Sequence, residues 1–292
     1  MQQIKNYNQC NFMFFNAKKH AFLISIFKDS MSLIDSDNQL QQAVACSIAS
    51  QRFIAEGVAI TIPKPPYTQS AQVIVTTNRS FEAARTYAEQ GFKTAVLNFA
   101  SSTNPGGGVT SGSNAQEESL CRVSTLYPCL KDESMWNSFY APHRAAANPL
   151  HNDDIIYTKD VVVFKDDDYR PLGQPFSVDV ITCAAPSLRE KASNKYNPSD
   201  GEKATDITPE QLIALHEKRG RQIIAAAAAN GVQVLILGAF GCGAFRNNPR
   251  VVAQAYKNIL SDYLHYFQTI EFAVYCSIYN SQNYDVFKEV LS

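Results

Sequence analysis

The run TAVLNFASSTNPGGG, residues 94–108, constrains the fold more than any other part of this 292-residue chain. It opens as an apolar, β-prone segment (Ala95, Val96, Leu97, Phe99), passes through Asn104-Pro105 and ends in three consecutive glycines. Those glycines strip every Cβ from the surface, so a bulky anionic group can lie directly on main-chain N–H groups. A spacer without apolar pattern, Val109 to Ala115, then leads into Gln116-Glu117-Glu118. A strand that ends in a Gly-rich loop and restarts as a helix belongs to an α/β architecture whose strand ends face a ligand.

Asn114 followed three residues later by Glu117 predicts a helix start with Asn114 as cap, placing Glu117 and Glu118 in the first turn. Neighbouring helical residues diverge by about 100°, so the two acids take separate jobs. Beside an anion cradle they suit cleavage of a sugar bond next to phosphates, one acid donating a proton and then acting as base. The bland alternative is a pair of dipole-compatible surface acids after an ordinary glycine turn.

A second stretch repeats the design. In VQVLILGAFGCGAFR, residues 232–246, the apolar run Val234–Gly238 leads into a Gly-rich loop, and Asn248-Pro249 opens the next helix. The loop is neither a GxxxxGK[ST] phosphate loop nor a GxGxxG dinucleotide fingerprint. Two such loops at the C-terminal ends of parallel strands mark the edge where open α/β sheets bind ligands.

The remaining pattern surrounds these two stretches. Ser36 with Gln39 predicts a capping box and a helix running towards Gly57, followed by an extended connector over 60–66 and a strand Val73–Thr76. A helix is expected over Asn78–Gly91 with Ser80 as cap, and an irregular one over Asp132–Ala147. Short strands are expected over Ile155–Thr158 and Val161–Phe164, and an apolar strand buried on both faces over Val178–Ala185. A mobile loop over Lys191–Thr205 precedes a helix capped by Thr208-Pro209-Glu210-Gln211. The chain closes with a strand Phe272–Ile278, then Tyr279, and a helix Tyr284–Leu291. This succession predicts a sheet covered by helices. Asp166-Asp167-Asp168 lacks the spaced ligand framework of a calcium loop and reads as a solvated turn.

Net charge is −1 and the pI is near 6.5, so no global basic field is available and an anionic ligand must be held locally. Seven cysteines without a CxxC pair fit neither a disulfide framework nor a zinc site, and point to a reducing cytoplasm. Residues 1–35 read as an N-terminal extension that either packs on the domain or is partly disordered. Their apolar run Ala21–Phe27 is too short to cross a bilayer, and no well-formed signal peptide is present. Residues 36–292 read as the domain proper, beginning with a helical part.

GGG, a short spacer and QEE resemble the signature of macrodomain-type poly(ADP-ribose) glycohydrolases, and QEESLCRVSTLYPCL resembles the microbial branch in particular. LGAFGCGAFRNNP is similar to that family's diphosphate-binding loop, and ITCAAP to the segment between the two Gly-rich loops. The resemblance covers roughly residues 90 to 260. It implies a macrodomain-like three-layer α/β/α sandwich with a mixed, mainly parallel sheet, and ADP-ribose lying across the strand ends. It further implies Glu118 as catalytic acid/base, Glu117 as the residue that holds the ribose beside the scissile bond, and Gln116 as shaping the loop or touching substrate. Asn104, Gly106, Gly107 and Gly108 would line the distal ribose and phosphate. Gly241, Cys242, Gly243 and Ala244 would wrap the diphosphate, with Phe245 against the ribose. Phe245 reads alternatively as a core aromatic, and Asn104 as a turn residue before Pro105.

The implied activity is hydrolysis of ribose–ribose O-glycosidic bonds in poly(ADP-ribose), mainly from the chain terminus, by a monomer needing neither metal nor other cofactor. Its partners would be poly(ADP-ribose) or an ADP-ribosylated protein, ADP-ribose would be the product ligand, and no membrane is involved. The location would be the cytoplasm, or the nucleus in a eukaryote. Two alternatives stand beside it: a hydrolase removing single ADP-ribose units from protein or nucleic acid, and a non-catalytic macrodomain that reads ADP-ribose. An acid at Glu118 requires a raised pKa, favoured by desolvation and by Glu117 but opposed by the helix N-terminus.

Overall fold

The computed structural model describes residues 2–195, 197–202, 206–276 and 280–292, with side chains described from residue 17 onward. Tyr279 and part of the Lys191–Thr205 loop lie outside the described residues. In chain order the elements are α1 (Gln2–Ser36), α2 (Asn38–Ser50), β1 (Arg52–Ile54), β2 (Gln72–Thr76), α3 (Ser80–Ala88), β3 (Thr94–Phe99) and α4 (Gln116–Val123). Three short helices follow, α5 (Leu126–Leu130), α6 (Glu133–Met135) and α7 (Ala141–Ala146). Then come β4 (Ile155–Lys165), β5 (Pro171–Cys183), α8 (Pro209–Ala229), β6 (Val234–Leu237), α9 (Pro249–Leu260), β7 (Thr269–Ala273) and α10 (Gln282–Leu291).

Strand side chains alternate between faces, and here both faces are apolar. Ala95, Leu97, Leu235, Leu237, Ile270 and Phe272 enter one core, closed by Ile223 of α8, Tyr256 of α9 and Phe287 of α10. Val96, Val180, Val234 and Ile236 enter the other, closed by Phe27 of α1, Phe81 of α3, Leu120 of α4 and Leu126 of α5. The result is a three-layer α/β/α sandwich around a seven-stranded sheet of order β1-β4-β5-β3-β6-β7-β2. β5, β3, β6, β7 and β2 run parallel, while β4 and β1 are antiparallel additions at one side. Because β3 and β6 are parallel neighbours, both Gly-rich loops leave the sheet side by side at the same edge.

Several boundaries differ from the sequence expectation, each for a local reason. α1 runs through Ser36, whose hydroxyl donates to Ser32 O (2.8 Å), so Asp37 caps α2 by accepting from Gln39 N (2.8 Å) and Leu40 N (3.1 Å). α2 stops at Ser50 because Arg52–Ile54 pairs with β4. α3 starts at Ser80 with Arg79 in the cap position, where the Arg79 N–H donates to Glu82 Oε2 (3.1 Å). The two strands expected over 155–164 are one strand, irregular between Thr158 and Val161, with Asp160 at φ 54°. β5 begins at Pro171, well before the apolar run, because its exposed first half pairs with β4. β7 spans Thr269–Ala273, earlier than the Phe272–Ile278 expected. Thr208 and Gln211 form the predicted reciprocal cap of α8.

The second half of α1 lies against the domain. Leu23, Phe27, Ser30 and Ile34 are buried at helical spacing. Phe27 meets Tyr127 edge-on with ring centroids 4.9 Å apart, and Ser30 Oγ donates to Arg122 O of α4 (2.6 Å). Lys165 closes the contact by donating to Ser30 Oγ (2.7 Å).

Candidate active site

All five parallel strands deliver residues to one cleft of about 950 Å³ at their C-terminal ends. Arg79 and Ser80 follow β2, Ser101 and Gly107 follow β3, Ala185 follows β5, Gly241, Gly243, Ala244 and Phe245 follow β6, and Val274 and Tyr275 follow β7. Glu117 and Glu118 enter it from the first turn of α4.

The glycine turn and the acids are built as one unit. Gly106 and Gly107 both have positive φ (67° and 58°), a conformation that glycine reaches without a Cβ penalty. A Cβ on Gly107 would lie 2.6 Å from Glu118 Oε1 and 3.0 Å from Glu117 Oε2. Only a residue without a side chain lets the chain pass this close to both carboxylates. Gly108 N–H donates to Glu118 Oε1 (2.8 Å) and Ala115 N–H to Glu118 Oε2 (2.9 Å). Glu117 is held separately, by Ser101 N–H on Oε2 (2.8 Å) and Asn98 Nδ2 on Oε1 (3.3 Å). Each carboxylate is thus fastened at both oxygens while retaining further lone pairs for a ligand. Burial drives the Glu117 pKa well above the usual carboxylate range, and the Glu118 charge adds to it, against the hydrogen bonds from Ser101 and Asn98.

Asn114 is not the helix cap. Ala115 takes that position, and Asn114 Oδ1 instead accepts from Arg122 Nη1 (3.3 Å) and from the Tyr169 hydroxyl (3.4 Å). Gln116 ties α4 to the sheet: Phe99 N–H donates to its Oε1 (2.8 Å), and its Nε2 donates to Leu97 O (2.8 Å) and Ser80 Oγ (3.0 Å). Asn104 closes the turn, accepting from Gly107 N (2.8 Å) and donating through Nδ2 to Gly107 O.

The second loop is pinned from beneath. Gly241 has φ 76°, and a Cβ there would meet Ala185 Cβ and Asn247 Nδ2, each at 2.6 Å. Asn247 Nδ2 donates to Gly241 O (3.1 Å) and Pro186 O (2.7 Å), and His216 Nε2 donates to Asn247 Oδ1 (3.0 Å). Burial lowers the His216 pKa to about 4, so the imidazole is a neutral, fixed donor at neutral pH. The Cys242 N–H is committed to Ala239 O, and burial pushes its thiol up to about 12. Phe245 packs under the Arg189 guanidinium (5.1 Å to the ring centroid) and beside His151 (5.7 Å).

Gly107, Gln116, Glu117, Glu118, Gly241, Gly243, Ala244 and Phe245 therefore line the cleft, whereas Asn104, Gly106, Gly108 and Cys242 stand behind its wall. Sequence reasoning passed over Asn98, Ser101 and Asn247. Asn98 did carry a signal, as a polar residue inside a strand buried on both faces. The Asp166–Asp168 segment is a turn, as expected, and it also reaches the site: Asp167 and Asp168 stand at the cleft, with Arg79 Nη1 donating to Asp167 O (2.8 Å). Burial raises the Asp167 pKa to about 6 against the pull of Arg79. Among the described residues no group of acids, histidines and cysteines could hold a metal ion, and no helix is long and apolar enough to cross a membrane.

The family model "microbial-type PARG, catalytic domain" matches residues 25–166. A poly(ADP-ribose) glycohydrolase structure from Deinococcus radiodurans in complex with ADP-ribose is 30% identical, with a TM-score of 0.69 over 85% of this chain and 96% of that one. The chain belongs to the microbial-type poly(ADP-ribose) glycohydrolase family. The family member from Thermomonospora curvata is also similar, with a TM-score of 0.78 and 28% identity over 92% of this chain and 99% of that one. Bound to the inhibitor ADP-HPD, the T. curvata glycohydrolase gives 0.76 and 27% over the same shares. No curated protein matches the sequence significantly.

The raised Glu117 pKa has a measurable consequence for this glycohydrolase-family chain. A carboxyl that binds its proton more tightly when folded stabilises the fold below its unfolded pKa, and that contribution is lost as pH rises through the folded value. Urea denaturation from pH 4 upward is expected to show wild-type stability falling with pH relative to Glu117→Gln. Parallel pH profiles would contradict the assignment.

Proposed function

We infer that the protein hydrolyses the ribose–ribose O-glycosidic bonds of poly(ADP-ribose), mainly at the chain terminus, and releases ADP-ribose. The observation that carries this reading is the approach of Gly107 to both carboxylates at the wall of a cleft that also contains the Gly241–Phe245 loop. The diphosphate of the terminal unit would lie on the backbone of Gly241–Ala244, and its distal ribose over Gly107. Local main-chain donors replace the basic field that a net charge of −1 does not supply.

In this geometry Glu118 donates a proton to the leaving ribose oxygen as the anomeric carbon gains oxocarbenium character. The substrate's own diphosphate stabilises that cation. Glu118 as carboxylate then takes a proton from the water that adds to the anomeric carbon, which restores the acid. Glu117, fixed by Ser101 and Asn98, orients a ribose hydroxyl next to the scissile bond. Gln116 holds the start of α4 in register with the end of β3 and acts as a positioning residue.

A reader of ADP-ribose needs the two loops but not two acids fastened at every oxygen, so the hydrolase reading is favoured over the binding module. Removal of single ADP-ribose units from protein uses the same acids, and substrate length separates it from polymer trimming.

Glu118→Gln is expected to keep ADP-ribose binding by calorimetry while slowing ADP-ribose release from the polymer by about 10²–10⁴-fold, the usual worth of a general acid/base. An unchanged rate would remove Glu118 from that role. Gly107→Val puts a branched side chain where both carboxylates stand. It is expected to weaken ADP-ribose binding in a protein whose circular dichroism is unaltered, and wild-type affinity in the folded variant would overturn the placement of the ribose.

A further inference from the structure

A glycosidase must also accommodate the group that leaves. In poly(ADP-ribose) that group is the adenosine of the penultimate unit, whose ribose oxygen Glu118 protonates. Resting on the glycohydrolase reading, we propose that Phe22 and Lys19 of α1, together with Tyr169, form the subsite for this leaving adenosine and its adjoining phosphates.

Three observations converge on it. The first is position. Lys19, Phe22 and Leu23 line the same cleft as Glu117 and Glu118, and they reach it through the elements that carry the acids. The His20 backbone stands against Gly112, between the glycine turn and α4, where a Cβ would meet His20 O at 2.5 Å. Across the cleft wall, the Tyr169 hydroxyl donates to Asn114 Oδ1 (3.4 Å), and the next residue, Ala115, holds Glu118 Oε2 (2.9 Å). The aromatic pair is therefore tied through the backbone to the acid that handles the leaving oxygen.

The second is exposure. Leu23 is 2% exposed and anchors the helix, whereas its neighbour Phe22 is 53% exposed on the cleft side. Its ring centroid lies 6.2 Å from that of Tyr169, with the planes at 65°. An exposed apolar ring beside a second aromatic, in a cleft for a nucleotide polymer, is a platform on which a base stacks whatever its identity. The third is charge. Asp167 and Asp168, which precede Tyr169, are paired with Arg79 (3.9 Å) and Arg170 (3.5 Å), while Lys19, exposed one turn earlier on α1, brings a positive charge to the Phe22 side of the cleft. This orders the occupant, with the base against Phe22 and Tyr169 and the phosphates towards Lys19. Lys19 and Phe22 also precede the segment matched by the family model, which begins at residue 25.

The test compares two substrates that share the ADP-ribosyl unit and differ in leaving group: poly(ADP-ribose) of defined length, and ADP-ribose carrying a small aryl group at the distal anomeric oxygen. Phe22→Ala is expected to lower kcat/KM for the polymer about tenfold relative to the aryl substrate, within the range of one lost base–aromatic stack, and Phe22→Trp to restore the ratio. Polymer cleavage with an unchanged ratio, or an equal fall on both substrates, would overturn the subsite alone. A wild-type protein that splits the aryl substrate but leaves the polymer intact would overturn the polymer reading and the subsite with it.

Discussion

The close passage of the Gly107 backbone over two carboxylates is the constraint on which the rest of this structure depends. It requires a residue without a Cβ, positive φ on Gly106 and Gly107, and a turn closed by Asn104. It also requires α4 to begin where it does, which Gln116 enforces by bonding to both Leu97 and Phe99. From that contact the acids receive unequal surroundings. Glu118 rests on the N–H groups of Gly108 and Ala115, and Glu117 on Ser101 and Asn98 in a buried position that raises its pKa. Two adjacent residues of one chemical type can then do different work.

The sheet turns this local arrangement into a binding site. Parallel pairing of β3 with β6 sets the second Gly-rich loop beside the first, and Asn247, held by neutral His216, fixes its shape from below. In the proposed reading the diphosphate is held by backbone dipoles of the second loop and not by accumulated lysine and arginine, in keeping with the nearly neutral chain. α1 adds a wall that comes from outside the sheet, joined to the acid loop by packing at Gly112 and Tyr127.

The layered fold and both loops were legible in the sequence because their signals are local: apolar runs that end in glycine, and helices that start with recognisable caps. The boundaries that moved were set by pairing over distance. The helix expected to run towards Gly57 ends at Ser50 because residues 52–54 join β4, and β5 extends back to Pro171 because a hairpin partner is present. Asn114 carries a cap-like pattern, yet it serves Arg122 and Tyr169, and nothing in its neighbours announces either. Asn104, Gly106, Gly108 and Cys242 came from family likeness, and the structure places them in the wall that shapes the cleft. The side of the site formed by α1 was not readable, because Phe22 acquires its position only when Leu23 and Phe27 bury against the domain.

The most direct test of this account is a crystal structure of the protein with ADP-ribose bound. The distal ribose is expected over Gly107, within hydrogen-bond reach of Glu117 and Glu118, and the diphosphate on the backbone of Gly241–Ala244. A nucleotide bound in the reverse direction, with adenine at the two acids, or bound outside this cleft, would contradict it.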